Sequence, residues 1–127
     1  MIPKFRAWHS ELGRMMSIKN MWFQDNCLEE LELNDSVMND YITAYPDEIK
    51  LMQSTGLKDK NGKEIFEGDI VKMAKDVYSD LTYYEIVRHR GGAYRLESNQ
   101  HGCELWLRHT ICEVIGNIYE NPELSEA

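Results

Sequence analysis

The segment Thr55–Val71, with the sequence TGLKDKNGKEIFEGDIV, combines two turn signals with the start of a strand. Asp59-Lys60-Asn61-Gly62 is a tight-turn sequence, because Gly62 adopts positive φ without a Cβ clash and Asn61 tolerates that conformation better than most residues. Glu67-Gly68-Asp69 is a second turn sequence, which opens into the β-branched pair Ile70-Val71. The segment therefore predicts β structure and contains no catalytic signature. The residues that we expect to shape its turns are Gly56, Asp59, Asn61, Gly62, Gly68 and Asp69.

Three segments of the chain, in the same order, resemble the YopX family of phage and prophage proteins. They are Lys4–Trp8, the stretch from Met52 through Val71, and Glu113–Leu124 with the sequence EVIGNIYENPEL. Residues 20–50 and 74–108 follow no pattern of that family. Its members are small and mostly β, without assigned catalytic residues or cofactor. The resemblance implies a β fold and a phage or prophage context, and it supplies no mechanism.

Short alternating segments separated by Gly, Asn and Asp turns extend along most of the chain. This pattern predicts a mainly β protein, a small β-barrel or sandwich of short antiparallel strands with little helix. Pro3–Ile18 is predicted to form a hairpin with Gly13 at positive φ, and Tyr83–Glu97 a second hairpin around Gly91-Gly92. Cys103–His109 also alternates as a strand does.

Residues 34–47 have a different composition, which predicts a variable insertion in the domain. Asp35 or Ser36 is suited to cap a short helix, so we expect this segment to form either a loop or one or two helical turns.

The length of 127 residues fits one domain, 1–127, or two very small lobes that share a core. No apolar run approaches the roughly 18 residues that span a bilayer, and no signal-peptide pattern opens the chain. We therefore expect a protein of the host cytoplasm that does not contact a membrane. In that compartment Cys27, Cys103 and Cys112 are expected to be free thiols.

The net charge of −8 is unevenly distributed. Residues 1–24 carry +3, whereas residues 25–56 carry eight acidic and one basic side chain. So acidic a segment repels phosphates, and this disfavours nucleic acid as a partner without excluding it. The acidic segment is interpreted as a solvated face, with phosphate mimicry or docking on a basic partner as the alternatives.

Three candidate sites are weighed against structural roles. His101, Cys103, His109 and Cys112 are zinc-type ligands, but their spacing sends His109 and Cys112 to opposite faces of a strand. A calcium loop aligned on Gly62 has Leu57 where the first carboxylate belongs. Glu67 and Asp69 are spaced as an acid–base pair, although a turn role for Asp69 is favoured. We therefore predict no metal, no cofactor and no enzymatic activity.

Aromatic and basic residues supply a candidate interaction surface. Its members are Trp8, Tyr83, Tyr84, Arg88, Arg90, Tyr94 and Arg95. Tyrosines among arginines can stack and bind the bases of a single strand, and they also pack across strands in ordinary sheets.

The large apolar residues favour self-association. Trp8, Trp22 and Trp106, with several methionines, exceed what a small β domain buries easily, and such residues are enriched at interfaces. We therefore predict a homo-oligomer or strand exchange through the N-terminal hairpin. The predicted function is a non-enzymatic module that binds itself or a host or phage protein. The alternatives are a nucleic-acid-binding accessory protein and, third, a small carboxylate-dependent hydrolase.

Overall fold

A computed structural model describes residues 4–74, 80–89, 91–98 and 102–126 of the chain. Antiparallel strands make up most of these residues. The chain divides into two compact units, Met1–Gln53 and Ser54–Ala127, and strand β5 passes from the first into the second.

The N-terminal unit is an antiparallel sheet in the order β4-β3-β2-β1-β5. Its strands are β1 (Phe5–His9), β2 (Arg14–Gln24), β3 (Cys27–Asp35), β4 (Asp40–Ala44) and β5 (Ile49–Lys58). The predicted β1–β2 hairpin is confirmed, and Gly13 has φ of 64° in its turn. Asp25 and Asn26 both have positive φ and join β2 to β3, which is the geometry of a two-residue hairpin turn that matches strand twist.

Apolar side chains of alternating positions form the core of this unit. They are Ala7, Met16, Leu31, Leu33, Ala44 and Ile49. Two polar groups are buried with them and have partners. His9 Nδ1 accepts a hydrogen bond from the Leu12 N–H at 3.1 Å, and Arg14 binds the Asp35 carboxylate at 2.5 Å.

The expectation of a loop or helical turns in the insertion 34–47 holds for residues 36–39, which form a turn, and is wrong for residues 40–44. Residues Asp40–Ala44 form β4, and only Pro46–Glu48 makes a 3₁₀ turn. The physical reason is that an isolated helical turn is costly to nucleate, whereas β4 gains hydrogen bonds by pairing with β3. The pairing places Ile42 opposite Leu33 and buries Ala44 opposite Leu31.

The C-terminal unit begins with the second half of β5, which pairs with β6 (Glu64–Phe66). Its main sheet has the order β10-β9-β8-β7-β11. The strands are β7 (Asp69–Ala74), β8 (Leu81–Arg88), β9 (Tyr94–Glu97), β10 (Gly102–Glu104) and β11 (Glu113–Asn117). Helix α1 (Leu105–Arg108) and the 3₁₀ turns His109–Ile111 and Pro122–Glu126 complete the unit. The predicted β8–β9 hairpin is confirmed, with Gly92 at φ of 90°.

The alternation in Cys103–His109 does not produce the predicted strand. Only Cys103 and Glu104 of this segment belong to β10, and α1 follows at once. The three residues of β10 pair with Glu97, Leu96 and Arg95, so the pairing stops before Tyr94, the first residue of β9. The helical turn then directs Leu105 into the core, where it is fully buried.

The core of the C-terminal unit is built mainly from β7, β8 and β9. It consists of Ile65, Val71, Met73, Tyr84, Ile86, Leu96, Leu105, Cys112 and Val114. The predicted class, mainly β with short antiparallel strands and little helix, is confirmed. Within the described residues, no helix has the length and apolar character needed to cross a membrane.

Candidate functional site

The β8–β9 hairpin carries most of the predicted interaction residues, and one of its faces is buried. Tyr84 is 2% exposed and shares this face with the fully buried Ile86 and Leu96. Arg88 and Tyr94 lie directly opposite each other where the same face reaches the turn. Burial raises the pKa of Tyr94, and the nearby charge of Arg88 opposes that shift. Tyr84 is therefore a core residue, and only the end of this face is accessible.

The opposite face of the hairpin carries Tyr83 and Arg95. Arg95 Nε binds Glu97 at 3.0 Å, and its Nη1 donates to the Glu104 carboxylate. Two carboxylates thus already neutralise the positive charge of Arg95 that would otherwise attract a phosphate. This weighs against the nucleic-acid alternative. The five described hairpin residues are divided between two faces.

The remaining two predicted surface residues lie elsewhere. Arg90 falls outside the described residues, and Trp8 lies half-buried in β1 of the N-terminal unit.

Asp59 connects the turn Asp59–Gly62 to β11. Its Oδ1 accepts hydrogen bonds from the N–H groups of Asn61 and Lys63, both at 2.9 Å. Its Oδ2 accepts the Val114 N–H at 2.9 Å. Burial alone would raise the pKa of Asp59. The backbone N–H donors, among which Val114 has the largest effect, instead lower this pKa below its usual value of 3.8. The residue stabilises the fold as a buried backbone acceptor.

Glu67 and Asp69 lie on either side of Gly68 in the second turn. Asp69 is 1% exposed, and its Oδ2 accepts the Phe66 N–H at 2.8 Å. Gly68, at φ of 86°, donates its N–H to Ile86 and accepts the Ile118 N–H. The left-handed conformation also occurs at Gly56 and Gly62. The Asp69 carboxylate is thus engaged in holding the turn, which disfavours the acid–base hypothesis.

The cysteine and histidine candidates for a zinc site are separated by their environments. His109 Nδ1 hydrogen-bonds to the Lys58 carbonyl oxygen at 2.8 Å, whereas Cys112 is fully buried in the core. Burial, with a smaller contribution from Asp59, raises the pKa of the Cys112 thiol to about 11. His101 lies outside the described residues. Among the residues that are described, no group of three or more His, Cys, Asp and Glu side chains is arranged to bind a metal ion.

The far end of the β2–β3 hairpin exposes two adjacent aromatic residues. Trp22 is 45% exposed and Phe23 is 62% exposed. Trp22 pairs with Glu30, and Phe23 pairs with Leu28 after a shift in register. Two large aromatic side chains are therefore exposed next to each other at the end of the hairpin. We call residues 22–30 the hairpin tip.

The hairpin tip is acidic as well as apolar. Asp25 and Glu29 are exposed and Glu30 is half-buried, and none of the three has a cationic partner among the described residues. Farther along the same hairpin the charges are compensated, since Lys19 binds Glu32 at 3.0 Å and lies 3.6 Å from the Tyr41 ring centre. The uncompensated negative charge is therefore concentrated beside Trp22 and Phe23.

Only part of this surface was predicted from the sequence. Trp22 was selected there as a large apolar residue, but Phe23 was not. The available signal was the order Trp22, Phe23, Asp25, Asn26, because two aromatic residues directly before a two-residue turn must lie near its end. Exposure itself depends on where the core ends, which the local sequence does not contain.

Comparisons with known proteins agree with this architecture. Residues 4–126 match the family model described as YopX protein. The chain is 31% identical to protein EF1440 from Enterococcus faecalis, with a TM-score of 0.67 over 98% of each chain. It is 21% identical to protein yopX from Bacillus subtilis, with a TM-score of 0.65 over 95% of this chain and 96% of that one. At that identity the second likeness concerns the fold alone. A comparison with curated proteins found no match.

Proposed function

This chain belongs to the YopX family, and we propose that it is a non-catalytic binding protein whose hairpin tip docks into a protein partner. The observation that carries the proposal is the pair of adjacent exposed aromatic side chains, Trp22 and Phe23, at the end of the β2–β3 hairpin.

The energetic argument concerns the area that these side chains leave in water. Their exposed parts together amount to about 200 Å² of mostly apolar surface, so burial stabilises a complex by about 5 kcal/mol before the cost of association. Aromatic side chains of this kind supply the dominant contacts in many interfaces.

The apolar character and the charge of the tip define the partner. Trp22 and Phe23 are covered best by exposed apolar side chains of another protein surface. The negative charges of Asp25, Glu29 and Glu30 favour a surface with a basic rim, because opposite charges speed association and select partners. The partner is therefore a protein surface with exposed apolar side chains and basic residues around them.

The same proposal includes that the protein is not an enzyme and that it acts in the cytoplasm of a host cell. The ionisable side chains described above mostly act as structural acceptors or ion pairs, as Asp59, Asp69 and Arg95 do. The family resemblance supports a phage- or prophage-encoded protein that acts in the host cytoplasm.

The proposal is tested with the double variant Trp22→Ser/Phe23→Ser. The tagged protein is incubated with lysate of phage-infected host cells, half of it treated with nuclease, and bound proteins are quantified by mass spectrometry. We expect a nuclease-resistant set of proteins that the variant fails to retain.

The matched control is Val37→Ser/Met38→Ser, which also removes two exposed apolar side chains, 67% and 68% exposed. It should retain the same proteins as the unaltered chain. Equal retention by the tip variant, or retention that nuclease abolishes, would overturn the proposal. Circular dichroism checks that both variants remain folded.

A further inference from the structure

A second exposed apolar surface lies on the segment that contains α1. Trp106 is 64% exposed, Leu107 is 59% exposed and Ile111 is 49% exposed. The residues on either side, Leu105 and Cys112, are fully buried. We call Trp106, Leu107 and Ile111, with the neighbouring Arg108, the helix patch.

The segment that carries the helix patch is held in place by two hydrogen bonds. His109 Nδ1 binds the Lys58 carbonyl oxygen at 2.8 Å, and the Lys60 N–H donates to the Cys112 carbonyl oxygen at 3.0 Å. The apolar side chains are thus displayed by an anchored segment. A surface that is ordered before binding loses less conformational entropy when it is covered.

The charge around the helix patch is opposite to that of the hairpin tip. Arg108 and Lys58 are exposed, and neither has an anionic partner among the described residues. The nearby acidic side chains are compensated, because Glu113 pairs with Lys60 and Lys72, and Glu104 pairs with Arg95. The patch therefore presents apolar side chains with a positive rim.

We propose that the hairpin tip of one copy docks on the helix patch of a second copy of this chain. The inference rests on the proposed function, since it names the partner of the same tip. Trp22 and Phe23 would pack against Trp106, Leu107 and Ile111, while Glu29 and Glu30 approach Arg108 and Lys58. The opposite charge of the two apolar surfaces is what selects this partner.

The two surfaces are different, so the contact is heterologous. Such contacts close into rings, close reciprocally between two copies, or continue as an open chain. In a ring or a reciprocal pair every copy contributes one tip and receives one tip, and in an open chain every internal copy does, so loss of either surface ends assembly.

The test compares two variants by sedimentation velocity over a concentration series. The tip variant is Trp22→Ser/Phe23→Ser, and the patch variant is Trp106→Ser/Leu107→Ser. We expect the unaltered chain to self-associate and each variant to weaken association by more than about tenfold. The control Val37→Ser/Met38→Ser should associate as the unaltered chain does.

Mixing the two defective variants gives a stricter test. The tip variant retains an intact patch, and the patch variant retains an intact tip. The mixture should therefore form heterodimers under conditions in which each variant alone is monomeric. Self-association of the unaltered chain without heterodimers in the mixture would overturn the inference.

Charge reversal tests the electrostatic part. Glu29→Lys/Glu30→Lys in one chain and Lys58→Glu/Arg108→Glu in another should each weaken association, and their combination in one chain should restore it. The control is Glu11→Lys/Asp47→Lys at two exposed positions. It changes the net charge as Glu29→Lys/Glu30→Lys does and should leave association unchanged. Failure of the combined variant to recover would contradict the assigned pairing.

Failure of this inference is distinguishable from failure of the proposed function. A chain that stays monomeric at concentrations up to about 1 mM contradicts self-docking, since even weak complexes form there. If the tip variant nevertheless fails to retain proteins that the unaltered chain captures from lysate, the proposed function stands with another partner. If the tip variant self-associates normally and loses no captured protein, both fail.

Discussion

The carboxylate of Asp59 accepts a hydrogen bond from the backbone N–H of Val114 at 2.9 Å, joining two residues that are 55 positions apart. Oδ1 of the same carboxylate accepts the N–H groups of Asn61 and Lys63. One buried side chain thus holds the turn and attaches it to the start of β11.

Replacement of Asp59 by Ala should destabilise the fold by about 2–4 kcal/mol, because three backbone donors lose their acceptor in a buried site. Urea unfolding followed by tryptophan fluorescence measures the change. The control is Asp80→Ala in the same unit, an exposed carboxylate that should change stability by less than about 0.5 kcal/mol. Similar values for the two variants would remove the assigned role of Asp59.

The lowered pKa of Asp59 predicts a pH dependence with a definite sign. A carboxyl whose pKa is lower in the folded state stabilises the fold above its unfolded pKa, and this contribution disappears as pH falls through the folded value. The difference in unfolding free energy between the unaltered chain and Asp59→Asn should therefore shrink as pH falls from about 5 to about 2. Asp35 keeps a lowered pKa in both proteins and should leave some acid dependence in each. A difference that stays constant across this range would contradict the prediction.

Gly116 permits a close approach of the C-terminal segment to β11. A Cβ atom at this position would lie 2.3 Å from Asn121 Oδ1. Gly116→Ala should therefore destabilise the protein by about 1–3 kcal/mol as that loop is displaced. Gly91→Ala is the matched control, because no atom lies within 4 Å of its Cβ position. Thermal unfolding compares the two, and equal midpoints would refute the packing argument.

The three thiols should react at different rates. Cys27 is exposed, whereas Cys112 is buried and its pKa is raised to about 11, so its reactive thiolate is scarce at neutral pH. Iodoacetamide labelling followed by peptide mass spectrometry should modify Cys27 first and Cys112 last. In denaturant the three cysteines should react at similar rates. Early labelling of Cys112 in the folded protein would show that its thiol is not buried.

The elements predicted best are those whose signals are local. The hairpin around Gly13 and the one around Gly92 were predicted from turn residues next to alternating segments, and both glycines have positive φ. Residues 40–44 were predicted wrongly, because they pair with the edge that β3 offers. The strand predicted for Cys103–His109 stops at Glu104, where α1 begins and directs Leu105 into the core.

The candidate surfaces show the same division. Strand alternation places Tyr83 and Tyr84 on opposite faces of β8, but it does not by itself indicate which face is buried. Tyr84 is covered because it shares a face with Ile86 and Leu96 in the core. Likewise, the sequence marked Arg95 as a candidate cation, and only the folded sheet placed Glu97 and Glu104 against it.

The amino-acid sequence by itself determined the β class, the glycine turns, the family resemblance and the acidic character of residues 25–56, because each depends on local conformational preference, residue order or a simple count of charges. The tertiary structure alone decided the strand order, the burial of Tyr84, the Asp59–Val114 link and the exposure of Trp22 and Phe23. Those features depend on contacts between residues far apart in the chain, whose register is set by which side chains the core can cover.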